Sequence, residues 1–160
     1  NNKEEFTINA ALIINKKPVL GVIYAPDKKR LFYSYGPSNS FEIVNNQKIK
    51  LIEQRKKNIG LINAVSYSNE LKPKILELHK KFKVNRHQKM KSSLKFCVIA
   101  ASEFDLYIAE PRACEWDIAA GHAILEHAGG SITDFNGNEI LYGKPNFKNP
   151  SLILKGKHFL

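Results

Sequence analysis

An acidic helix start followed by small side chains, residues 115–130, constrains this chain more than any other stretch. It reads Glu-Trp-Asp-Ile-Ala-Ala-Gly-His-Ala-Ile-Leu-Glu-His-Ala-Gly-Gly. The two glycines at its end are typical of a helix C-terminus. The Ala-Ala-Gly segment leaves one turn of the helix without bulky side chains. The stretch therefore predicts a slim helix that backbone or a phosphorylated substrate can approach closely.

Asp117 falls in the first turn of this helix, where free backbone N–H groups and the helix dipole favour an ionised carboxylate. Such a carboxylate is a hard oxygen ligand. Mg²⁺ usually takes only one or two carboxylates from a protein and completes its shell with water and substrate phosphate. The pattern predicts a metal-phosphate site with Asp117 as ligand. The alternative is an aspartate that only stabilises the helix start.

The type and spacing of other side chains, most of them near Asp117, predict structural roles. Glu115 is expected to be exposed, and Trp116 is expected to pack in the core. His122 and Glu126 stand four residues apart, which predicts a surface pair on one face of the helix. Cys97 is expected to pack as a small hydrophobic residue inside another helix.

The first third of the chain reads as strands joined by turns. The predicted strands are residues 6–14, 18–25, 31–35 and 48–51. The turns between them predict an antiparallel meander. In the first strand one face is more apolar than the other. We therefore expect this sheet to need a covering layer of helices that precede it in a longer protein.

After residue 58 the pattern changes to alternating strands and helices, which favours a mixed or parallel sheet flanked by helices. The predicted strands are residues 59–65, a short segment near Val84, and residues 105–109, 131–135 and 152–154. The predicted helices are residues 69–82, residues 92–101 and the helix that carries Asp117. The fold class is therefore α/β with α+β character. We divide it into the rest of an antiparallel sheet domain at residues 1–58 and an α/β domain at residues 59–160.

Several segments carry a resemblance to a known family. Residues 116–121 and 128–130 resemble the second signature of the inositol monophosphatase superfamily, a class of Mg²⁺-dependent, lithium-sensitive phosphatases. Residues 92–97, Ser-Ser-Leu-Lys-Phe-Cys, are similar to a narrower branch, the 3'(2'),5'-bisphosphate nucleotidases. Residues 5–13 and 18–26 resemble the same branch. The resemblance implies the C-terminal part of the inositol-monophosphatase/fructose-bisphosphatase-like fold.

The resemblance also implies a role for particular residues. Asp117 would be catalytic, because it helps to hold the Mg²⁺ ions that position the phosphate and activate the attacking water. Ser92, Ser93 and Lys95 would bind the non-reacting 5'-phosphate and ribose of the nucleotide, and Ser66 would help to cradle it. From spacing alone, a structural interpretation of Ser92 and Lys95 is equally good. In that interpretation Ser92 caps the helix and Lys95 is solvated.

This chain departs from the pattern of the branch at several positions. Lys91 replaces a glycine before the two serines. Tyr67 and Asn69 replace arginine and histidine in the Ser-Arg-Ser-His segment of the branch. Ala109 stands where the branch has a phosphate-binding arginine. Arg112, three residues later, is a candidate to bind substrate in place of that arginine. A loop arginine without a binding role is an equally good interpretation.

The first metal signature of the family, Asp-Pro-(Ile/Leu)-Asp-Gly-Thr, is absent from this sequence. In the family it precedes the segment that residues 5–13 resemble. A mechanism with several metal ions needs carboxylates on both sides of the phosphate. We therefore expect the isolated chain to be inactive. We also expect it to belong to a longer enzyme, or to be completed by an N-terminal half supplied as a separate chain.

The reaction that the resemblance implies is Mg²⁺-dependent hydrolysis of the 3'-phosphate of 3'-phosphoadenosine 5'-phosphate, a step of sulfur metabolism that gives AMP and phosphate. Two alternatives stay open. One is an inositol or sugar monophosphatase of the same superfamily, which the loss of arginine at Ala109 favours and residues 92–97 disfavour. The other is a non-catalytic fragment that at most binds nucleotide or a partner chain.

Composition narrows the expected partners and location. The net charge is +10, from 25 lysines and arginines against 15 acidic residues. The lysines are scattered and lack the interleaved aromatic residues of single-strand binders, so no nucleic-acid partner is expected. A basic surface instead attracts small phosphate esters. No apolar run approaches the roughly 18 residues of a membrane span. Two cysteines fit a reducing cytoplasm, with peripheral association at the inner membrane as the alternative.

Overall fold

In a computed structural model of the chain, the described residues are 6–56 and 59–159. They form two five-stranded sheets and three α-helices. Residue 58, the predicted end of the first domain, and residue 5, in the first family-like segment, lie outside the described residues. The division into two domains therefore stays a prediction.

The first sheet is an antiparallel meander, as the sequence predicts. Each strand pairs with the next in chain order. The strands are β1 (Ile8–Ile14), β2 (Lys17–Ala25), β3 (Arg30–Ser34), β4 (Ser40–Val44) and β5 (Gln47–Lys50). Strand β4 is missing from the sequence prediction. Two of its buried residues, Ser40 and Glu42, are polar, so the usual apolar signal of a buried strand face is weak.

The second sheet is mixed and flanked by helices, which confirms the predicted class. Its strand order is β7-β6-β8-β10-β9. Strand β6 runs parallel to β7 and β8, whereas β10 is antiparallel to β8 and β9. The strands are β6 (Ile62–Ser66), β7 (Val84–Lys89), β8 (Leu106–Ala109), β9 (Ser131–Thr133) and β10 (Leu152–Lys155). The helices are α1 (Pro73–Lys81), α2 (Leu94–Ala100) and α3 (Glu115–His127).

Two helices begin later than predicted. Helix α1 starts at Pro73, because proline fits the first helical position and the residue before it stays extended. Helix α2 starts at Leu94. Ser92 has a φ of 58°, in the left-handed region, so the chain turns there before the helix begins.

The slim turn of α3 packs directly against two neighbours. A Cβ atom added to Gly21 of β2 would lie 2.3 Å from the backbone oxygen of Ala120. A Cβ atom added to Gly121 would lie 2.4 Å from Cγ of Phe96 in α2. Both distances are far inside van der Waals contact. Gly21 therefore lets the backbone of β2 approach the helix at Ala120, and Gly121 lets Phe96 approach it, so a strand backbone does come close to the helix here.

One large core joins the two predicted halves. It includes Ile23 and Phe32 of the first sheet, Leu125 of α3 and Leu154 of the second sheet, all fully buried. A smaller cluster lies between α1 and the second sheet. Strand β1 is exposed along its whole length. Three large apolar side chains of β1, those of Ile8, Leu12 and Ile14, are about half exposed. Phe6 and Trp116, near this strand, are about half exposed as well.

Candidate active site

A cavity of about 460 Å³ opens where β1 meets the starts of α2 and α3. Five of the six predicted site residues line this cavity: Ser92, Ser93, Lys95, Arg112 and Asp117. The sixth, Ser66, lines an adjacent cavity of about 300 Å³. The two cavities share several wall residues, among them Tyr67, Tyr107 and Arg112. The structure thus brings together residues that are separated by up to 51 positions in the sequence.

Asp117 is exposed at the wall of the larger cavity, in the first turn of α3. Its Oδ2 atom accepts a hydrogen bond of 2.9 Å from the backbone N–H of Cys114, the N-cap residue. The helix-stabilising role and the cavity-facing position therefore coexist. A carboxylate whose rotamer is fixed by a cap bond is also well placed to hold a cation.

Ser93 is nearly buried and connects three elements. Its Oγ atom donates a 2.8 Å hydrogen bond to the backbone oxygen of Asp117, and it accepts a 3.0 Å bond from Nδ2 of Asn9. Asn9 is not among the predicted site residues, although a polar amide among the apolar residues of β1 is a signal for a role. The Asn9, Ser93 and Asp117 contacts fix the relative positions of β1, α2 and α3 at the cavity.

Lys95 is buried, with 7% of its surface exposed, so the alternative of a solvated lysine is wrong. Its ammonium group donates a hydrogen bond to the backbone oxygen of Ser92 and lies 5.3 Å from the centre of the Tyr107 ring. The other part of that alternative, a serine cap, fits the structure: Ser93 occupies the N-cap position of α2, and Ser92 Oγ accepts a 3.4 Å hydrogen bond from the backbone N–H of Leu94. A buried ammonium beside a polar cavity favours anionic ligands.

Arg112 is exposed and stacks on an aromatic ring. Its Cζ atom lies 3.4 Å from the centre of the Tyr67 ring. Tyr67 directly follows β6, and Arg112 follows β8 by three residues. Strands β6 and β8 are parallel neighbours, so the segments after them meet at one edge of the sheet.

Whether the larger cavity can bind Mg²⁺ depends on the carboxylates that line it. Asp117 and Glu110 line it, and Glu110 forms an ion pair of 2.6 Å with Lys72. Within residues 6–56 and 59–159, no group of three or more histidine, cysteine or acidic side chains is arranged to hold a metal ion. Since Mg²⁺ often takes a single protein carboxylate, Asp117 fits the ion as one ligand of a larger set.

Two predictions for the neighbours of Asp117 are wrong. Glu115 is buried, because it accepts hydrogen bonds from the backbone N–H groups of Gly143 and Lys144 at 3.0 and 2.9 Å. Trp116 is 62% exposed and lies against Phe147 at the surface. The predicted pair of His122 and Glu126 is present at 3.0 Å, but only Glu126 is exposed, since His122 is 1% exposed. Cys97 is fully buried, as predicted.

Sequence comparison decides the family. The chain matches the inositol monophosphatase family over residues 1–158. It belongs to that family. The chain is 34% identical over 149 residues to the 3'(2'),5'-bisphosphate nucleotidase CysQ of Salmonella typhimurium, an alignment that covers 91% of this chain and 58% of the relative. It is 36% identical over 138 residues to the Buchnera aphidicola protein of the same name, covering 86% and 51%.

Solved structures of this family have the same fold. The crystal structure of CysQ from Bacteroides thetaiotaomicron superposes with a TM-score of 0.75 at 31% identity, covering 95% of this chain and 63% of that protein. An inositol monophosphatase from Thermotoga maritima gives a TM-score of 0.69 at 26% identity, covering 94% and 56%. The chain thus spans little more than half the length of these family members. Among the described residues, no helix is long and apolar enough to cross a membrane.

Proposed function

We propose that this chain is part of a Mg²⁺-dependent 3'(2'),5'-bisphosphate nucleotidase that acts in the cytoplasm on 3'-phosphoadenosine 5'-phosphate. The observation that carries the proposal is the position of Asp117, Lys95 and Arg112 on the wall of one cavity of about 460 Å³. The relatives named CysQ, at 34% and 36% identity, support the choice of this branch. The products would be AMP and phosphate.

The cationic side chains at the cavity account for binding of a phosphate ester. Arg112 offers a planar set of N–H donors that suits phosphate oxygens. Lys95 adds a buried positive charge, and Lys91 adds an exposed one at the same cavity. The two lysines lie near the start of α2, and Arg112 lies in a separate segment, after β8. A phosphate bound by all three would be held by cations from two segments of the chain.

Asp117 would hold the metal ion from the start of α3. Its cap bond to Cys114 and the Ser93 bond to its backbone fix where its carboxylate lies. Mg²⁺ bound there supplies charge neutralisation for the phosphate and lowers the pKa of coordinated water. Asp117 and Ser93 therefore have separate tasks, since the carboxylate binds the cation and the hydroxyl positions the helix.

Further carboxylates would come from sequence that the family members have beyond their match with this chain. The relatives extend well past the aligned part, because the alignments cover 58% and 51% of their lengths. The exposed apolar residues of β1 provide a surface for additional protein, either from the same polypeptide or from a separate N-terminal half. On this proposal the isolated chain is inactive.

A complementation assay tests the proposal. The chain is assayed with 3'-phosphoadenosine 5'-phosphate and Mg²⁺, alone and mixed with the part of the Salmonella relative that lies outside the alignment. We expect turnover only in the mixture, and its loss on omission of Mg²⁺ or in Asp117→Asn. Robust turnover by the chain alone would contradict the requirement for a second part. Binding without turnover in every mixture would favour the non-catalytic alternative.

An inositol or sugar monophosphatase is the second candidate. The small side chain of Ala109 lines both cavities, in the place where the nucleotidase branch has arginine. A site with fewer fixed cations suits a substrate with a single phosphate. The same assay with myo-inositol 1-phosphate separates the candidates, because the nucleotidase proposal requires the bisphosphate to be the better substrate.

A further inference from the structure

The larger and smaller cavities adjoin each other. Tyr67, Tyr107, Ala109, Glu110 and Arg112 line both. These shared residues lie at or after the ends of β6 and β8, the parallel pair of the second sheet. Ligands of α/β proteins commonly bind at such strand ends. A ligand that lies across this edge of the sheet would contact both cavities.

The two cavities differ in chemistry. The larger one carries Lys91, Lys95 and Asp117. The smaller one has apolar walls from Leu71, Ile75, Ile108 and Pro111. An ion pair between Lys72 and Glu110 lies at the smaller cavity. The charged cavity suits the phosphate end of an ester, and the apolar one suits a flat, weakly polar group.

At the boundary, the Cζ atom of Arg112 lies over the Tyr67 ring, 3.4 Å from its centre. A guanidinium that contacts a ring through its face keeps its N–H donors available for other partners. Tyr67 is 49% exposed, so its ring is accessible to ligand as well as to Arg112. Among the described residues no carboxylate forms an ion pair with Arg112. Among the described residues, the contact with Tyr67 is therefore the interaction that orients Arg112.

We infer that Tyr67 is a positioning residue for Arg112, and that the stacked pair makes this site select phosphate esters that carry a planar aromatic group. The phosphate occupies the larger cavity and meets the edge of Arg112. The aromatic group, such as a nucleobase, enters the smaller cavity beside the pair. This inference rests on the proposed function and gives it a source of substrate selectivity that is specific to this chain, since Tyr67 is one of its departures from the branch.

Binding measurements without Mg²⁺ test the inference separately from catalysis. Dissociation constants are measured by calorimetry for three probes: adenosine 3',5'-bisphosphate, myo-inositol 1-phosphate and inorganic phosphate. The variants are Tyr67→Ala, Tyr67→Leu and the conservative Tyr67→Phe. Tyr67→Leu keeps most of the side-chain volume, so it guards against a local collapse in the alanine variant. Circular dichroism checks that each variant is folded.

We expect Tyr67→Ala and Tyr67→Leu to weaken binding of the bisphosphate about tenfold, the scale of one lost stacking contact. Binding of inorganic phosphate should change less than about twofold, because the lysines of the larger cavity remain. Tyr67→Phe should bind like the wild type. Adding Arg112→Ala to Tyr67→Ala should cost less than Arg112→Ala costs alone, since an arginine that has lost its orientation contributes little.

Three results would overturn the inference. The first is equal weakening of all three probes by Tyr67→Ala, which would make Tyr67 a general structural residue. The second is a Tyr67→Phe variant that behaves like Tyr67→Ala, because the ring would then not be what orients Arg112. The third is wild-type binding of myo-inositol 1-phosphate as tight as that of the bisphosphate. Selective binding without turnover in the complementation assay would contradict the proposed reaction and leave this inference standing.

Discussion

The hydroxyl of Ser93 donates a 2.8 Å hydrogen bond to the backbone oxygen of Asp117. The bond connects the residue before α2 with the first turn of α3. Because Asn9 of β1 donates to the same hydroxyl, three elements meet at one oxygen atom. The position of the Asp117 carboxylate in the cavity therefore depends on a residue that the family resemblance assigns to substrate binding.

Replacing Ser93 by alanine should lower the free energy of unfolding by about 1–2 kcal/mol. The substitution removes the bond from the Asn9 amide and the bond to the Asp117 carbonyl, both part-buried, and a typical intramolecular hydrogen bond contributes about 0.5–1.5 kcal/mol. Urea unfolding monitored by circular dichroism measures the change. Ser131→Ala, at an exposed position of β9, is the matched control and should change stability by less than about 0.5 kcal/mol. Equal effects of the two variants would contradict the structural role of Ser93.

Gly121→Ala should destabilise the protein, although alanine is the better helix former. The new Cβ would lie 2.4 Å from Cγ of Phe96, so α2 and α3 must separate or Phe96 must leave its rotamer. Overpacking of this kind costs about 1–3 kcal/mol, which exceeds the roughly 1 kcal/mol gained from helix propensity. A melting temperature at or above that of the wild type would show that the contact relaxes freely.

A second substitution identifies the cause. Phe96→Ala removes Cγ and Cδ1, two of the three atoms nearest the new Cβ, and leaves the Phe96 Cβ at 2.6 Å. The double variant should therefore lose less stability than the sum of the two single variants. Gly21→Ala offers a contrast, because its Cβ would meet the backbone oxygen of Ala120 at 2.3 Å. A backbone atom cannot be removed by a side-chain substitution. Phe96→Ala should therefore relieve part of the Gly121→Ala clash and leave the effect of Gly21→Ala unchanged.

The sequence predicted the order of the elements except β4, because strand and helix periodicity is local, and the family resemblance supplied the residues at the larger cavity other than Asp117. Asp117 could be placed in the first turn of a helix from its context, and the structure puts it there. Ser92, Ser93, Lys95 and Arg112 line the same cavity, although their roles in binding stay predictions. The strand β4 could not be predicted from periodicity, since Ser40 and Glu42 are polar and buried.

Burial of single polar residues depends on partners far along the chain, which a sequence pattern does not contain. Glu115 is buried because a loop 28 positions later supplies N–H donors. His122 is buried because Tyr142 lies 3.0 Å from its Nδ1 atom. Lys95 is buried beside the ring of Tyr107. Type and spacing alone place each of these three residues at the surface, and tertiary contacts reverse that expectation.

Glu115→Gln should lower the free energy of unfolding by about 2 kcal/mol at neutral pH, the scale of lost charge-assisted hydrogen bonds. Burial raises the pKa of the Glu115 carboxyl, but hydrogen bonds from the Lys144 ammonium and from backbone N–H groups outweigh burial and lower the pKa overall. A lowered folded-state pKa stabilises the protein above the unfolded-state pKa, and this stabilisation is lost as the pH falls through the folded-state pKa.

The stability difference between wild type and Glu115→Gln should therefore shrink as the pH falls below the ordinary pKa of glutamate, 4.5. Urea unfolding of both proteins across a pH series measures it. Glu53→Gln is the matched control, because Glu53 is 69% exposed and pairs with Lys50 only at 3.6 Å. The control should show a small effect at every pH. A Glu115→Gln difference that is independent of pH would mean that packing, and not charge, explains its effect.

Arg30→Met should lower the free energy of unfolding by about 2–3 kcal/mol, because Arg30 bridges the carboxylates of Glu42 on β4 and Glu103 after α2. Glu42 is almost fully buried, so its charge would be left unpaired. Adding Glu42→Gln to Arg30→Met should recover part of the loss. Lys50→Met, which removes an exposed pair, is the control and should change stability by less than about 0.5 kcal/mol. No recovery in the double variant would contradict the unpaired charge as the cause.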